Sequence, residues 1–517
     1  MSAKGRPERE LLPLGGTARS AKGAPVSTRI RTVRAAAVGA LAVATLAGCT
    51  MGPDYVRPPV DAPAAFRFEP KAVADTANTL WWKQFGDPVL DAMIDEALAS
   101  NLDVKTAAAN VAQAAALLTQ TRSALFPQAG YSGVGERARV PDSGLAAIVP
   151  DYPNPQTSYQ ALLTVSWELD LWGRIRRLSE SALANALATD EARRGVILSL
   201  TASVATNYIQ LRGLDEQLVV ARATLTTYAE SLRLFELQFK YGQVSQMTVA
   251  QAQSQYQTAA AQIPVIEFQI GQTENALSVL LGRNPGPIAR GKSIYEIALP
   301  AVPAGVPSML LERRPDLRQA EQQLVAANAQ IGAAKALYFP IISLTGALGG
   351  SSSELSSLFN GPNRAWNYAG SLVGPIFTFG AVSGQVAQAE AAQQAALTSY
   401  QQAIKNAFAD VDNALVATTK RQEQLVAQER LVGALKDYAR LARLQYDGGY
   451  APYSTVLQAE QTLFPAELTL AAVRASVFTS AANTYKAMGG GWIAEADRLT
   501  GSAPPAAAAG PGTPPLF

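Results

Sequence analysis

Apolar positions recur along this chain in two rhythms, and the pair of rhythms occurs twice. From Gly173 to about Tyr241, the residues Val204, Tyr208, Leu211, Leu218, Leu225, Tyr228, Leu232, Phe235 and Phe239 follow spacings near 3.5 residues. After Gly380 the same rhythm carries Leu397, Tyr400, Ile404, Phe408, Val411 and Leu415, then Leu431, Leu435, Tyr438, Leu441 and Leu444. Each run predicts a helix of roughly 65 residues, about 100 Å long at about 1.5 Å per residue. A heptad-like repeat means that such helices supercoil against neighbours. The other face is rich in Gln, Ala, Ser and Thr, which suits contact with water.

Ahead of each long run the period falls to two. Tyr159, Ala161, Leu163, Val165, Trp167, Leu169 and Leu171 alternate with Gln160, Thr164, Ser166, Glu168 and Asp170, and only Leu162 breaks the rule. Ile342, Leu344 and Leu348 alternate in the same way, as do Trp366, Tyr368, Leu372 and Ile376. Strands are therefore expected near 129–139, a weaker Gly-rich segment, and near 156–171, 341–350 and 366–379. Alternation over about ten residues with aromatic ends suits a transmembrane β-strand, and it also suits a half-buried sheet in a soluble domain. Glu168 and Asp170 fall on the polar positions and are expected to face a lumen. Polar, Pro/Gly/Ser-rich stretches at 140–158 and 351–365 read as the loops between strand partners. An Ala-rich helix at 102–126 stops at Pro127, and a second at 315–339 stops at Pro340. Each long helix turns at glycine, Gly242 or Gly448-Gly449, into a second helix at 245–281 or 453–488. The expected product is a hairpin whose tip lies about 100 Å from the strands.

The chain also aligns with itself. Gly173, Gly242, Val249, Gln251, Ala252 and Gly282 fall on Gly380, Gly449, Val456, Gln458, Ala459 and Gly489, all 207 residues later. The segment 103–127 repeats at 316–340, an offset of 213, with Asp103 on Asp316 and Phe126-Pro127 on Phe339-Pro340. Two copies of one unit share one architecture, so the length of 517 residues does not mean several unrelated domains.

Composition narrows the chemistry. Net charge is +2, which offers no case for nucleic acid. There is no His, the commonest general base and metal ligand. Gly-x-Ser-x-Gly elbows, P-loops and zinc motifs are also missing, so catalysis is not expected. The one cysteine, Cys49, excludes an intrachain disulfide. Arg29, Arg31 and Arg34 precede an apolar run from Ala35 to Ala47, and Leu46-Ala47-Gly48-Cys49 follows, the pattern of a secretory signal. That ending resembles the bacterial lipobox, and the resemblance implies a diacylglycerol thioether on Cys49, cleavage before it and an N-acyl chain. Thr50 in the next position implies the outer membrane.

Beyond the signal, no stretch of about 18 apolar residues offers a membrane helix. A chain that spans a membrane this way needs a closed barrel. Four strands cannot close one, since about eight are required, so copies must pool strands. Three copies would give about twelve strands continuing into a ring of helices.

The lipobox, the Pro53-Asp54-Tyr55-Val56-Arg57-Pro58 leash, Trp81-Trp82 with Asp87-Pro88, the duplicated helices and Ala487-Met488-Gly489-Gly490-Gly491-Trp492 resemble the outer-membrane factors of tripartite efflux systems, the TolC/OprM/NodT-type lipoproteins. The resemblance covers roughly residues 46–495. It implies a homotrimer with a transmembrane β-barrel of four strands per chain, continuous with a long periplasmic α-helical barrel. It also implies passive conduction of drugs or other toxic small molecules, a periplasmic adaptor (membrane fusion protein), and an inner-membrane transporter of RND type that supplies energy. No cofactor beyond the lipid on Cys49 is expected. The expected organisation is a signal at 1–48, a lipidated leash at 49–80, a first repeat at 81–300, a second at 301–495 and a disordered tail at 496–517. Adaptor docking is expected at Tyr241, Gly242, Gln243, Val244 and Ser245, and at Gly448, Gly449, Tyr450 and Ser454. Relatives commonly carry gate aspartates where this chain has Thr455 and Gln458, so the gate is expected to draw on Asp447, Tyr446 and Tyr450 as well. Metal-ion efflux, type I protein secretion and a lipid-anchored coiled-coil scaffold are the alternative readings.

Overall fold

The computed structural model describes residues 50–60, 63, 66, 68, 80–139, 141, 154–301 and 307–490. The expected signal at 1–48, Cys49, parts of the leash and of the 140–158 loop, Gly491-Trp492 and the tail lie outside the described residues. The described elements are α1 (Pro88–Ser100), α2 (Leu102–Ser123), β1 (Gln128–Ala138), β2 (Gln156–Leu169), α3 (Arg174–Lys240), α4 (Gln246–Leu280), α5 (Pro307–Arg313), α6 (Pro315–Ala336), β3 (Ile341–Ser352), β4 (Arg364–Val373), α7 (Ala381–Asp447) and α8 (Tyr453–Ala487). The long helices α3 and α7 have 67 residues each.

The strands form one antiparallel sheet in the order β1-β2-β3-β4. Residues directly opposite one another share a face. One row across the sheet is Tyr131, Leu163, Leu348 and Trp366, all exposed. Rows through Val165 and Tyr368, and through Leu169, Ile342 and Leu372, extend that apolar face. The opposite face carries Thr164, Ala347 and Asn367, then Ser166 and Thr345, then Glu168, Ser343 and Ser371. A soluble sheet would bury its apolar side, whereas this one presents it over four strands.

Several boundaries differ from the expected ones. The fourth strand ends at Val373 and does not reach 379. Gly374 and Pro375 come next, and proline has no N–H to give a ladder. The second strand stops at Leu169 because Asp170 is used elsewhere: its carboxylate accepts from Ile175 N at 3.0 Å and Arg176 N at 2.8 Å, capping the first turn of α3. Glu168 takes the Arg174 guanidinium through both oxygens, at 2.9 and 2.8 Å. Both carboxylates anchor the β2–α3 corner, and Glu168 keeps its place on the polar face of the sheet. The α2 helix ends at Ser123, short of 126, and tightens into i→i+3 bonds that carry Leu125 and Phe126.

Lateral packing repeats at every level. Beside the strands the helix order is α2–α3–α6–α7, and towards the tips it is α4–α3–α8–α7. Among the described residues the same two sides lack a neighbouring strand or helix: β1, α2 and α4 form one edge, β4 and α7 the other. The duplication is visible in a reversed ion pair. Arg222 on α3 meets Glu267 on α4 at 2.8 Å, and 207 residues later Glu429 on α7 meets Arg474 on α8 with the charges exchanged.

The largest core lies where the chain thickens midway. Trp81, Trp82, Phe85, Leu90 and Ile94 pack on Ile197, Val204 and Tyr208 of α3 and on Phe478 and Tyr485 of α8. Asp87 is fully buried there and explains its motif. It caps α1 through Val89 N at 2.9 Å, with Pro88 at the first helical position. Its other oxygen accepts from Tyr208 Oη at 2.6 Å and Lys292 N at 3.1 Å. Burial, then this acceptor, pushes the Tyr208 phenol well above its usual range.

The described part of the leash is laid along α3 and α6. Met51 N donates to Trp172 O at 3.1 Å, Arg177 donates to Met51 O at 3.1 Å and to Asp54 at 2.6 Å, and Asn328 donates to Pro53 O at 2.9 Å. Lower down, Arg57 pairs with Glu321 at 2.7 Å. Gly52 has φ 86°, and a Cβ there would lie 2.4 Å from the Gly332 Cα, so only glycine fits.

Candidate functional site at the hairpin tips

At the first tip α3 ends at Lys240 and Gly242 takes φ 71°, the left-handed conformation that reverses the chain. Gly242 N donates to Phe239 O and Gln243 N to Gln238 O, both at 2.9 Å. Nothing lies within 4 Å of a Cβ built on Gly242, so the need for glycine is conformational. Ser245 then caps α4, its Oγ accepting from Thr248 N at 3.4 Å.

The second tip has the same logic with different residues. Gly449 is left-handed at φ 77°, its N–H donates to Tyr446 O at 2.9 Å, and Tyr450 N donates to Gln445 O at 2.8 Å. Gly448 has φ −81°, which any residue adopts. Its glycine answers a close approach instead, because the Tyr450 ring comes within 2.9 Å of a Cβ there.

Beneath the turns, Phe235, Ala252, Ala442, Tyr453, Val456 and Ala459 form a small core. Phe235 and Tyr453 have ring centroids 4.2 Å apart, and Tyr446 packs edge-on against both, at 6.3 and 5.5 Å. Tyr446 is thus partly buried inside the hairpin pair. Val244 also packs on this core. Tyr241, Gln243, Ser245, Ser454 and Gln458 are exposed, Thr455 is half-buried, and Tyr450 is 90% exposed.

Asp447 is exposed, but it is not alone: Arg443, one turn earlier, places Nε 3.5 Å from its Oδ1. The acid that sequence reasoning missed is Glu460. Its Oε2 is buried and has no hydrogen-bond partner among the described residues. Burial raises its carboxyl above the usual range, and Arg443 opposes the rise. The Tyr453 phenol is pushed up to about 12, by burial first and then by Glu460. Tyr228 Oη donates to the Glu460 carbonyl at 3.3 Å, tying α3 to α8. A signal was present: Glu460 lies four residues beyond Val456 and so shares its buried face.

The tip region offers turns, aromatic rings and charge. Among the described residues no group of His, Cys, Asp or Glu is placed to hold a metal ion, and no helix is long and apolar enough to cross a membrane.

The chain as a whole is similar to known proteins. The family profile described as outer membrane efflux protein matches residues 93–283 and 306–490. The solvent efflux pump outer membrane protein SrpC of Pseudomonas putida is 38% identical over 464 residues, covering 87% of this chain and 97% of that protein. The probable outer membrane lipoprotein SilC of Salmonella typhimurium is 35% identical over 457 residues, covering 87% and 97%. The solved outer-membrane channel OprN superposes with a TM-score of 0.80 at 31% identity, covering 86% of this chain and 100% of that one. The open state of the Neisseria gonorrhoeae MtrE outer membrane channel gives 0.78 at 32% identity, covering 86% and 99%.

Proposed function

The chain belongs to the outer membrane efflux protein family, whose fold is a trimeric outer-membrane β-barrel continuous with a periplasmic α-helical barrel, and on that premise we propose that three copies form the exit duct of a tripartite pump. The duct passively conducts drugs or other toxic small molecules across the periplasm and the outer membrane. The observation that carries this is the sheet: four strands, one apolar exposed face, one small and polar face, and two unpaired edges. Unpaired edges cannot sit in lipid. Three copies pool their strands into a closed barrel with the apolar face outward and the polar face towards water.

The duct needs no covalent chemistry and is not an enzyme. A periplasmic adaptor engages the tip residues Tyr241, Gly242, Gln243, Val244, Ser245, Gly448, Gly449, Tyr450 and Ser454, and an RND-type inner-membrane transporter supplies energy. Three copies of Asp447, with Tyr450 beside them, set the charge at the closable end. In planar bilayers the purified protein should show discrete conductance steps with a preference for cations. Asp447→Ala should reduce that preference, read as a smaller reversal potential in a salt gradient, and raise the resting leak. A protein that inserts yet never conducts contradicts the duct, and an unchanged reversal potential removes Asp447 from the gate.

Cys49 anchors the amino-terminal end through a diacylglycerol thioether and an N-acyl chain. Its neighbour Thr50 supports this, because a Cβ on Gly173, at the foot of the sheet, would lie 2.9 Å from the Thr50 Cα. Thr50, the first described residue, therefore lies at the level where the strands end. Cys49→Ser should abolish incorporation of labelled palmitate and reduce outer-membrane yield. Label entering the variant unchanged contradicts the anchor.

A further inference from the structure

The two halves of the chain pack on each other as the duplicated units of a ring must, so the contact between halves is a template for the contact between copies. That premise rests on the trimeric duct proposed above. The most specific half-to-half contact lies at the foot of the sheet. Trp172, just after β2, stacks on Phe339, just after α6, with centroids 4.6 Å apart and planes 24° apart. Its Nε1 donates to Pro340 O at 2.8 Å. The repeat offsets of 207 and 213 carry Trp172 to Phe379, Phe339 to Phe126 and Pro340 to Pro127.

Those two aromatic residues do not meet within the protomer. Phe379 leads into α7 on one open edge and is 91% exposed, and Phe126 leads into β1 on the other and is 56% exposed. Phe379 also holds φ 49°, the one left-handed residue other than glycine among those described. Such a backbone is costly for an aromatic residue and persists where surroundings enforce it. Within its own chain the ring touches Phe377 edge-on at 4.3 Å.

We propose that Phe379 stacks on the partner subunit's Phe126, sealing each seam of the ring where the barrel meets the helices. The occupant of this apolar edge is a second copy of the chain, because the sheet and the helix layers are open on the same two sides and the repeat already shows the fit. Phenylalanine has no side-chain N–H, so the seam between copies lacks the bond that Trp172 gives Pro340.

The test uses the full-length protein extracted in detergent, with Phe126→Cys and Phe379→Cys made singly and together and treated with a short bifunctional thiol reagent. The double variant should give covalent dimers and trimers on a denaturing gel. Each single variant, and the parent with Cys49 alone, should give monomer. Phe379→Ala should lower the temperature at which the trimer dissociates, and Phe379→Trp should raise it by restoring the donor. A native trimer with no covalent species and three equal dissociation temperatures places these rings against lipid, as in an interfacial aromatic belt. That outcome overturns the stack and leaves the duct standing. A parent protein that is not a trimer overturns both.

Discussion

Glu460 lies one helical turn beyond Val456, on the face of α8 that closes over the tip core. It is faced by Arg443 from α7, by Tyr453 from its own helix and by Tyr228 from α3. Burial favours its neutral form, so its folded pKa is raised above the ordinary glutamate value. The stability it contributes is fully present below that ordinary value and is lost as pH rises through the raised one. The tips should therefore hold more tightly at about pH 5 than at about pH 7.5. Limited proteolysis at the tips should be slower at the lower pH in the parent, and slow at both in Glu460→Gln. A variant that keeps the parent's pH dependence shows that another group is responsible. At this scale the turns were legible in the sequence, and the packing of the side chains beneath them was not. Asp447 stood out because it is near the turn in sequence, whereas one of the residues that face Glu460, Tyr228, lies 232 positions away. Tyr446 shows the same effect, since Phe235, one of the two rings packed on it, belongs to the other repeat.

The elements were more legible than the side chains. Heptad spacing of apolar residues survives in one dimension, so α3 and α7 are visible as two long helices turning at Gly242 and Gly449. The end of β4 was less so. Apolar residues recur at Ile376 and Phe377, but Gly374-Pro375 ends the ladder before they are reached. The reversed ion pair makes a prediction at this level. Arg222–Glu267 and Glu429–Arg474 hold matching helix pairs with opposite polarity, so the geometry matters and the sign does not. The Arg222 and Glu267 side chains are largely exposed, and screening limits such a pair to about 0.2–1 kcal/mol. Arg222→Glu should lower the unfolding midpoint by an amount equivalent to at most about 1 kcal/mol, with two like charges opposed. Adding Glu267→Arg should restore it. A double variant as unstable as the single one shows that the position, not the pairing, carried the effect.

At the scale of the whole molecule, the open edges govern everything else. Among the described residues each layer of the protomer, four strands and then four helices abreast, leaves the same two sides without a neighbouring strand or helix. The helices at these edges carry exposed apolar side chains: Val426, Leu431, Tyr438, Leu441 and Leu444 on α7, and Met247, Val265, Phe268 and Val279 on α4. Burying such stripes against a second copy is favourable at about 25 cal/mol per Å² of apolar area. The need for copies was legible from strand arithmetic alone. The sides that would meet were not, because they depend on the lateral order of helices far apart in sequence. The most direct test of this closure is the native mass of the full-length protein extracted in detergent. Shared closure predicts a trimer as the sole assembled species. A stable monomer, with four strands left open and still extractable, contradicts it.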